Sequence, residues 1–392
     1  MKILICMNKN ELKPIGGPVG YLYNLSYGLS MIGDKQVHFL NENKVITESN
    51  FLSKIKKIVP HRLKYKLWLI KTVNKIINND GKVANIDFND YDAIHFHSTA
   101  DLYKNRKLLK DFKGRIILTS HTPEAPYLEW ADLLNENSIP NSEKKIKQLK
   151  NIDIYAFKRC TDIIFPCKEA MDPYIHTFEY FRDNYKKLIQ KITFLPTGIK
   201  RPDVITKAVI PFKKDKDNFI VCYVGRHNSI KGYDILLNAA KKIQNIDKKI
   251  KFVIAGKEGP LYHDEKLKNW KEMGWTNNPL GIEAESDLFV LPNRETYFDL
   301  ALIEAMSVPS VILASYTGGN KYLKKFDSDA INFFESENID DLVNKILLIK
   351  KKGITDNLRE KNLEMYNKNF TPEIFAKNYI EKITKIIKDT NK

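Results

Sequence analysis

The feature that most constrains this chain is a strand–helix alternation that runs through one series and then starts again. The first series opens with the apolar run "KILICM" (residues 2–7), a loop containing "IGGPVG", and a helical stretch from about Tyr21, "YLYNLSYGLSMIG". Strands follow at "QVHFLN" (36–41), "YDAIHFHS" (91–98), "GRIILTSH" (114–121), "DIIFPC" and "ITFLPTGI". Residues 51–79 read as helical with a break at Pro60. Residues 197–218, rich in lysine and proline and without helical periodicity, read as a linker. A second series then runs through "FIVCYVGR", the helix "GYDILLNAAKKIQ", "KFVIAGK", the helix "DEKLKNWKEMG", "DLFVLPN", a helix around Glu304, "PSVILAS" and the helix "IDDLVNKILLIKKK". The chain closes on "TPEIFAKNYIEKITKIIKD", a long helix with Thr371 as its cap. Strands that alternate with helices predict a parallel sheet covered on both faces. With 392 residues there is room for two such domains. Ligands in such folds bind outside the carboxyl ends of the strands, so two domains facing each other hold a ligand in the cleft between them.

Composition narrows the partners. The formal net charge is +16, which points to an anionic partner or to a lysine-rich background spread over the whole surface. Lysine outweighs arginine, and no zinc-finger, RNP or basic-zipper pattern is present, so nucleic acid is not expected as a partner. Four cysteines, Cys6, Cys160, Cys167 and Cys222, lack metal-type spacing and read as reduced thiols of a cytoplasmic protein. The opening "MKILICMNKN" turns polar too soon for a signal peptide. No apolar run reaches the roughly 18 residues of a membrane span. Leu67, Trp68, Leu69 and Ile70 lie beside Lys64, Lys66 and Lys71 within the basic region 54–75. That segment reads either as an interfacial helix on an anionic membrane surface or as a solvated basic face over a buried stripe.

The residues suited to chemistry cluster in the second series. In "YVGRHNSIKGYDILLNAA", Gly225 permits a sharp turn after a strand, Arg226 and Lys231 flank a helix start, and Gly232 permits close backbone approach. Two cations at a helix N-terminus suit a diphosphate; the plainer reading is a loop with solvated cations. In "PNRETYFDLALIEAM" a carboxylate, Glu304, lies inside an otherwise apolar helix that begins near Phe298 or Asp299. A buried charge is costly unless paired or hydrogen-bonded. Glu304 therefore either meets a lysine or arginine, or accepts hydrogen bonds from a ligand diol such as a ribose. His121 stands at the carboxyl end of a strand, where ligands bind in α/β domains; the plainer reading is a loop histidine bonded to backbone. His95 and His97 alternate on a strand and share one face. No third ligand completes a metal site, so none is expected. His227 and His263 carry no signal.

Taken in order, these segments resemble glycosyltransferase family 4, the retaining sugar-nucleotide-dependent enzymes of GT-B fold. "GRHNSIKG" resembles the family's G-R-x-x-x-x-K-G element, "SDLFVLPN" the strand before its E-x7-E motif, and "LIEAM" that motif's second half. "YDAIHFHS" with "IILTSH", and "IGGPVGYLYNLSYGL" with its Gly17, are similar to elements of the family's N-terminal domain. The chain departs from the pattern at one place. Eight residues before Glu304 stands Thr296, with Glu295 one further back, and the family's Phe-Gly pair becomes Phe298-Asp299. Either Thr296 fills the sugar-contacting position or a bulge brings Glu295 in; Asp299 is either a helix cap or faces a sugar hydroxyl.

The resemblance implies an α/β GT-B architecture of two doubly wound Rossmann-like domains facing a central cleft. Residues 1–200 would form the acceptor side, 201–370 the nucleotide-sugar side, and 371–392 a helix returning to the first domain. It implies transfer of a sugar from a UDP- or GDP-linked donor to a hydroxyl of a glycan, lipid-linked or protein-linked acceptor in surface polysaccharide or glycoconjugate synthesis, with retained configuration and without a metal. His121, Arg226 and Lys231 would be catalytic; Gly17, Gly225, Glu295, Thr296, Phe298, Asp299, Leu300 and Glu304 would hold the donor. The location expected is cytoplasmic, with peripheral contact at the cytoplasmic face of the plasma membrane. A sugar-nucleotide epimerase on the same plan, or a non-catalytic donor-binding subunit, are the alternatives.

Overall fold

Strands that are covered on both faces must be apolar on both faces, and this chain's strands are: β1 (Ile3–Ile5), β3 (Ala93–Phe96), β5 (Asp162–Phe165), β10 (Leu288–Leu291) and β11 (Ile312–Ser315) are buried at every residue. The structure, a computed structural model, describes residues 1–7, 12–14, 17–40, 61–78, 86–212, 218–262 and 267–389. With β2 (Val37–Phe39), β4 (Arg115–Leu118) and β6 (Ile192–Phe194), the first strands form a six-stranded sheet in the order β2-β1-β3-β4-β5-β6. β7 (Phe219–Val224), β8 (Ile250–Ala255), β9 (Trp270–Gly274) and β12 (Ile331–Phe334) join β10 and β11 in a second, ordered β12-β11-β10-β7-β8-β9. Every pairing in both is parallel. The strand order reverses between β1 and β3 in one sheet and between β7 and β10 in the other. Such reversal points open the crevices where ligands bind.

The first helix, Gly17–Met31, starts a turn earlier than Tyr21. The final helix, Pro372–Lys388, is capped by Thr371, whose side chain accepts from the Ile374 N–H. Its apolar stripe of Phe375, Tyr379, Ile383 and Ile386 is buried with Ile3, Ile5, Leu22 and Leu25 of the first sheet's layer. Gly28 makes the helix crossing close: a Cβ there would stand 2.0 Å from the Pro372 carbonyl oxygen. The chain thus passes between the halves twice, side by side. Ile199 N–H donates to Phe370 O at 2.9 Å, and Tyr366 OH donates to Ile199 O at 2.8 Å.

The helix His61–Asn78 buries Leu69 and Val73 against Leu134, Ile139, Leu149 and Ile152. It leaves Leu63, Leu67 and Trp68 exposed, with Trp68 stacked on Tyr65 at 5.5 Å. Pro60 and the lysines at 54–57 lie outside the described residues, as do His263 and residues 15–16 of the first loop.

One expectation fails. The segment "DEKLKNWKEMG", expected as a helix, contains a strand, β9; its residues 264–266 lie outside the described residues. Lysine and glutamate favour a helix locally, but tertiary pairing overrides propensity. Trp270 is buried, stacks on Phe252 at 5.9 Å and donates from its indole to Glu272 Oε1 at 2.8 Å. The exposed Lys271 and Glu272 then serve as the charged side chains that edge strands carry.

Candidate active site

The loops that follow β7 and β10 meet at the reversal point of the second sheet. After β7 comes Gly225, whose amide donates to Ala255 O at 3.0 Å, then the exposed Arg226. Gly232 caps the helix Tyr233–Ile246 with a left-handed φ of 67°, and a Cβ on it would stand 1.8 Å from the Pro292 carbonyl oxygen. Only glycine lets that helix start so close to the end of β10.

Asp299 is the N-cap of the short helix Leu300–Met306: its Oδ1 accepts from the Ala301 N–H at 3.1 Å. Its Oδ2 accepts from Asn293 Nδ2 at 2.6 Å and pairs with Lys231 Nζ. Burial pushes this carboxyl up, but Lys231 and the three hydrogen bonds outweigh it and hold Asp299 below the usual range. Lys231, expected to meet a ligand diphosphate, therefore stands with a structural counter-ion already in place.

Glu304 is different. Its carboxylate makes no hydrogen bond or ion pair among the described residues. Burial, and then repulsion from Asp299, raise its carboxyl to about 7, with Lys231 offsetting part of the rise. Behind it, the helix Pro279–Glu285 buries Glu283, neither of whose carboxyl oxygens finds a partner among the described residues. Burial and the Glu304 charge push Glu283 well above the ordinary range. The lysine or arginine partner weighed for Glu304 is absent among the described residues; the nearby lysine is committed to Asp299.

Between these pieces the chain crosses to the first half. Glu295 Oε1 lies 3.2 Å from His176 Nδ1, and Oε2 lies 3.4 Å from Thr317 Oγ1. Thr296 is buried and its carbonyl accepts from the Gly319 N–H at 3.1 Å. Gly318 and Gly319 are needed for this approach: added Cβ atoms would stand 2.0 and 2.2 Å from the carbonyl oxygens of Thr296 and Tyr297. Tyr297 inserts into the first half's core, 5.5 Å from Phe165, and donates to Ile164 O at 3.3 Å. Phe298 packs edge-on against Tyr322, and Leu300 opens the helix partly buried in the second half's core.

The opposite wall is formed by the ends of β3 and β4. His121 has a left-handed φ of 62° and lies 4.7 Å from the Tyr21 ring and 6.3 Å from that of Tyr297. Burial holds it down at about 3, so it is neutral at any ordinary pH. Gly17 stands exposed at the start of the first helix, with open space around its Cα. Past His121, burial and the charges of Asp132, Glu129 and Glu295 raise Glu124 to about 7. Burial raises Glu129 too, and the charge of Arg226 from the other wall draws it partly back.

Sequence reasoning missed Tyr297, Arg294 and the Gly318–Gly319 pair. Arg294 binds both oxygens of Asp234 at 2.8 and 2.7 Å, Glu337 at 2.8 Å, and Ser229 O at 2.6 Å, tying three loops around the crevice. Its partners lie 60 and 43 residues away, so no local pattern signals the clamp. Among the described residues no group of three or more His, Cys, Asp or Glu is placed to hold a metal ion.

Residues 218–351 match the family model described as glycosyl transferases group 1. The chain is 29% identical over 255 residues to the UDP-Gal:alpha-D-GlcNAc-diphosphoundecaprenol alpha-1,3-galactosyltransferase of Escherichia coli, covering 60% of this chain and 62% of that enzyme. Among solved structures it resembles sucrose-phosphate synthase of Thermosynechococcus elongatus, with a TM-score of 0.63 at 16% identity over 99% of both chains. It also resembles Anabaena Alr3699/HepE in complex with UDP and glucose, with a TM-score of 0.57 at 13% identity over 98% of this chain and 99% of that one. The architecture is thus that of the GT-B glycosyltransferases, two parallel six-stranded sheets facing a cleft.

Proposed function

We propose that this chain transfers a sugar from a nucleotide-sugar donor to a hydroxyl of a glycan acceptor in the synthesis of a surface polysaccharide or glycoconjugate. The observation that carries the reading is Glu304: a carboxylate without a hydrogen bond among the described residues, near the reversal point of a parallel sheet and beside a paired lysine. A ribose diol supplies the two donors it lacks. The exposed Arg226, with Lys231 held beside it by Asp299, offsets the diphosphate's charge as it leaves, so the transfer needs no divalent ion. In this reading residues 1–200 receive the acceptor, residues 201–370 hold the donor, and the segment 371–392 belongs with the first domain.

Uridine is favoured over guanosine as the base, because the Escherichia coli relative uses UDP-Gal and HepE was crystallised with UDP. A lipid-linked acceptor is favoured on the same ground, since that relative acts on a diphosphoundecaprenol-linked sugar. Retention of configuration follows if the acceptor attacks from the face the diphosphate leaves. The acceptor oxygen then bonds to the anomeric carbon as the carbon–phosphate oxygen bond breaks, and the hydroxyl proton passes to the departing diphosphate. The exposed Trp68 and Leu67, with Lys64, Lys66 and Lys71, suit docking on an anionic leaflet, where each lysine contributes about 1 kcal/mol. No described helix is long and apolar enough to cross a membrane.

Titration calorimetry with UDP, GDP and UDP-sugars tests the donor, and ¹H NMR of the product anomer tests retention. Binding of UDP-sugars with release of UDP only when an acceptor is added supports the reading. Binding without release in the presence of any glycan acceptor would leave a donor-binding subunit.

A further inference from the structure

The first half carries three histidines in a row at the carboxyl ends of neighbouring parallel strands. The register Phe96↔Leu118 sets β3 and β4 side by side, so His97 and His121, each just past its strand, meet. His95 accepts or donates on both sides, to Tyr379 OH at 3.0 Å and Thr119 Oγ1 at 2.9 Å. Its ring lies 4.0 Å from that of His97. His97 Nδ1 then lies 2.8 Å from His121 Nε2, with the two rings stacked at 5.2 Å. Burial keeps both rings neutral.

Two neutral imidazoles can share one proton in that bond, and the direction of donation decides what the outer nitrogens carry. If His121 donates from Nε2, the proton of His97 must sit on its own Nε2. That atom is fully buried and has no hydrogen-bond partner among the described residues. An orphaned buried N–H is rare in folded proteins, whereas an unused acceptor lone pair is tolerated more readily. If His97 donates instead, its Nε2 is a bare lone pair, and the proton of His121 moves to Nδ1. His121 Nδ1 makes no hydrogen bond among the described residues, and the residue keeps part of its surface open between Tyr21 of one half and Tyr297 of the other.

We infer that His97 is a positioning residue: it donates from Nδ1 to His121 Nε2 and so fixes His121 as the Nδ1–H tautomer, with its remaining N–H available to the cleft. The left-handed backbone at His121, a conformation that surrounding structure must impose, fixes where the ring stands between His97 and Tyr21. The consequence for chemistry rests on the glycosyl-transfer reading. A carbon losing a diphosphate gathers positive charge, and an imidazolium beside it would oppose that. A neutral ring with a directed N–H can bond a sugar hydroxyl without adding a cation. His97 delivers that form.

The test is ¹⁵N NMR of the full chain labelled at histidine, with resonances assigned by the His97→Asn and His121→Asn variants. Protons on Nδ1 and pyridine-type Nε2 shifts for both His97 and His121 are expected. A proton on Nε2 of either ring overturns the inference, whatever the enzyme does. Turnover supplies the second arm. His97→Leu should lower kcat tenfold or more with donor KM within twofold, and His97→Asn, which keeps a donor near the Nδ1 position, should recover most of it. Equal activity in the two variants reduces His97 to packing and overturns the positioning role. A wild-type protein that transfers no sugar at all would sink the functional reading, while the tautomer would still be decided by the spectra.

Discussion

The two walls of the cleft treat charge in opposite ways. On the wall built by the second half, charges are matched within the protein: Lys231 with Asp299, and Arg294 with Asp234 and Glu337. Among the described residues Glu304, and Glu283 buried behind it, stand inside the same wall without such a match. The wall built by the first half has its histidines neutral and packed ring against ring, and its acids Glu124 and Glu129 crowd one another. In the glycosyl-transfer reading, the difference bears on what each wall would meet. Fixed, compensated charges hold a crevice in shape for a ligand that brings its own diphosphate. Neutral rings and acids that resist ionisation suit a polyhydroxyl partner that carries no charge at the reacting end.

The largest effect expected on this contrast comes from the ring that joins the walls. Tyr297→Ala removes a buried aromatic from the first half's core and should cost about 3–5 kcal/mol, read by thermal melting. Unchanged melting would mean the walls do not rest on one another there.

Next is the matched pair. Lys231→Ala leaves Asp299 buried without its cation and should cost about 3 kcal/mol, with Lys231→Ala/Asp299→Asn recovering part of it. Arg226→Ala, on an exposed residue, should leave stability within about 0.5 kcal/mol while lowering kcat by about tenfold or more. If the two single variants lose the same stability, the distinction between a paired and a ligand-facing cation fails.

Glu304→Gln sharpens the comparison through pH. A carboxyl raised to about 7 keeps its proton in the folded state at pH values where the unfolded chain has already lost it. The folded state then binds more protons, so wild-type stability falls as pH rises from the usual carboxyl range to about 7 and levels off above. The glutamine variant lacks that slope. It should equal wild type near pH 4 and exceed it at pH 8, by at most about 3 kcal/mol. Donor binding should weaken by about 1.5–3 kcal/mol. A variant less stable than wild type at pH 8 would show that Glu304 is satisfied without ligand.

The smallest effect on folding belongs to Trp68→Ala, within about 0.5 kcal/mol, because the ring is half exposed. Its signature is confined to vesicles. Co-sedimentation with anionic but not neutral vesicles should fall with this variant, with salt, and with charge reversal at Lys64, Lys66 and Lys71. No sedimentation of wild type at low ionic strength would remove the membrane from the reading.

The parallel sheets were legible in the sequence because strands buried on both faces must be written as unbroken apolar runs, and "KILICM" and "DLFVLPN" are such runs. The odd placement of Glu304 was legible because a lone acid among Leu302, Ile303, Ala305 and Met306 breaks a helix's apolar stripe. β9 was not, because "KNWKEMG" spells a helix to anyone who cannot see Phe252 waiting for Trp270. Nor was the capture of Lys231 by Asp299: 68 residues separate them, and only the folded crevice makes them neighbours. Tyr297 gave no signal either, since a single aromatic between a threonine and a phenylalanine has no period. What the sequence carries is periodic; what it hides is the long-range pairing of single side chains.

The return of the final helix to the first sheet has a consequence for the order of events on the ribosome. Leu22, Leu25, Ile3 and Ile5 lie against Phe375, Tyr379 and Ile383, which are made only after the second sheet. The first sheet therefore emerges complete in strands yet uncovered on one flank while the whole second domain is synthesised. At about 5–20 residues per second that interval lasts roughly 10–40 s. During it the nascent chain exposes the apolar surface that the helix Pro372–Lys388 later covers. A chain cut short before Pro372 would carry that surface permanently, and it should be found bound to chaperones or in aggregates even though every residue of the second sheet's crevice is present.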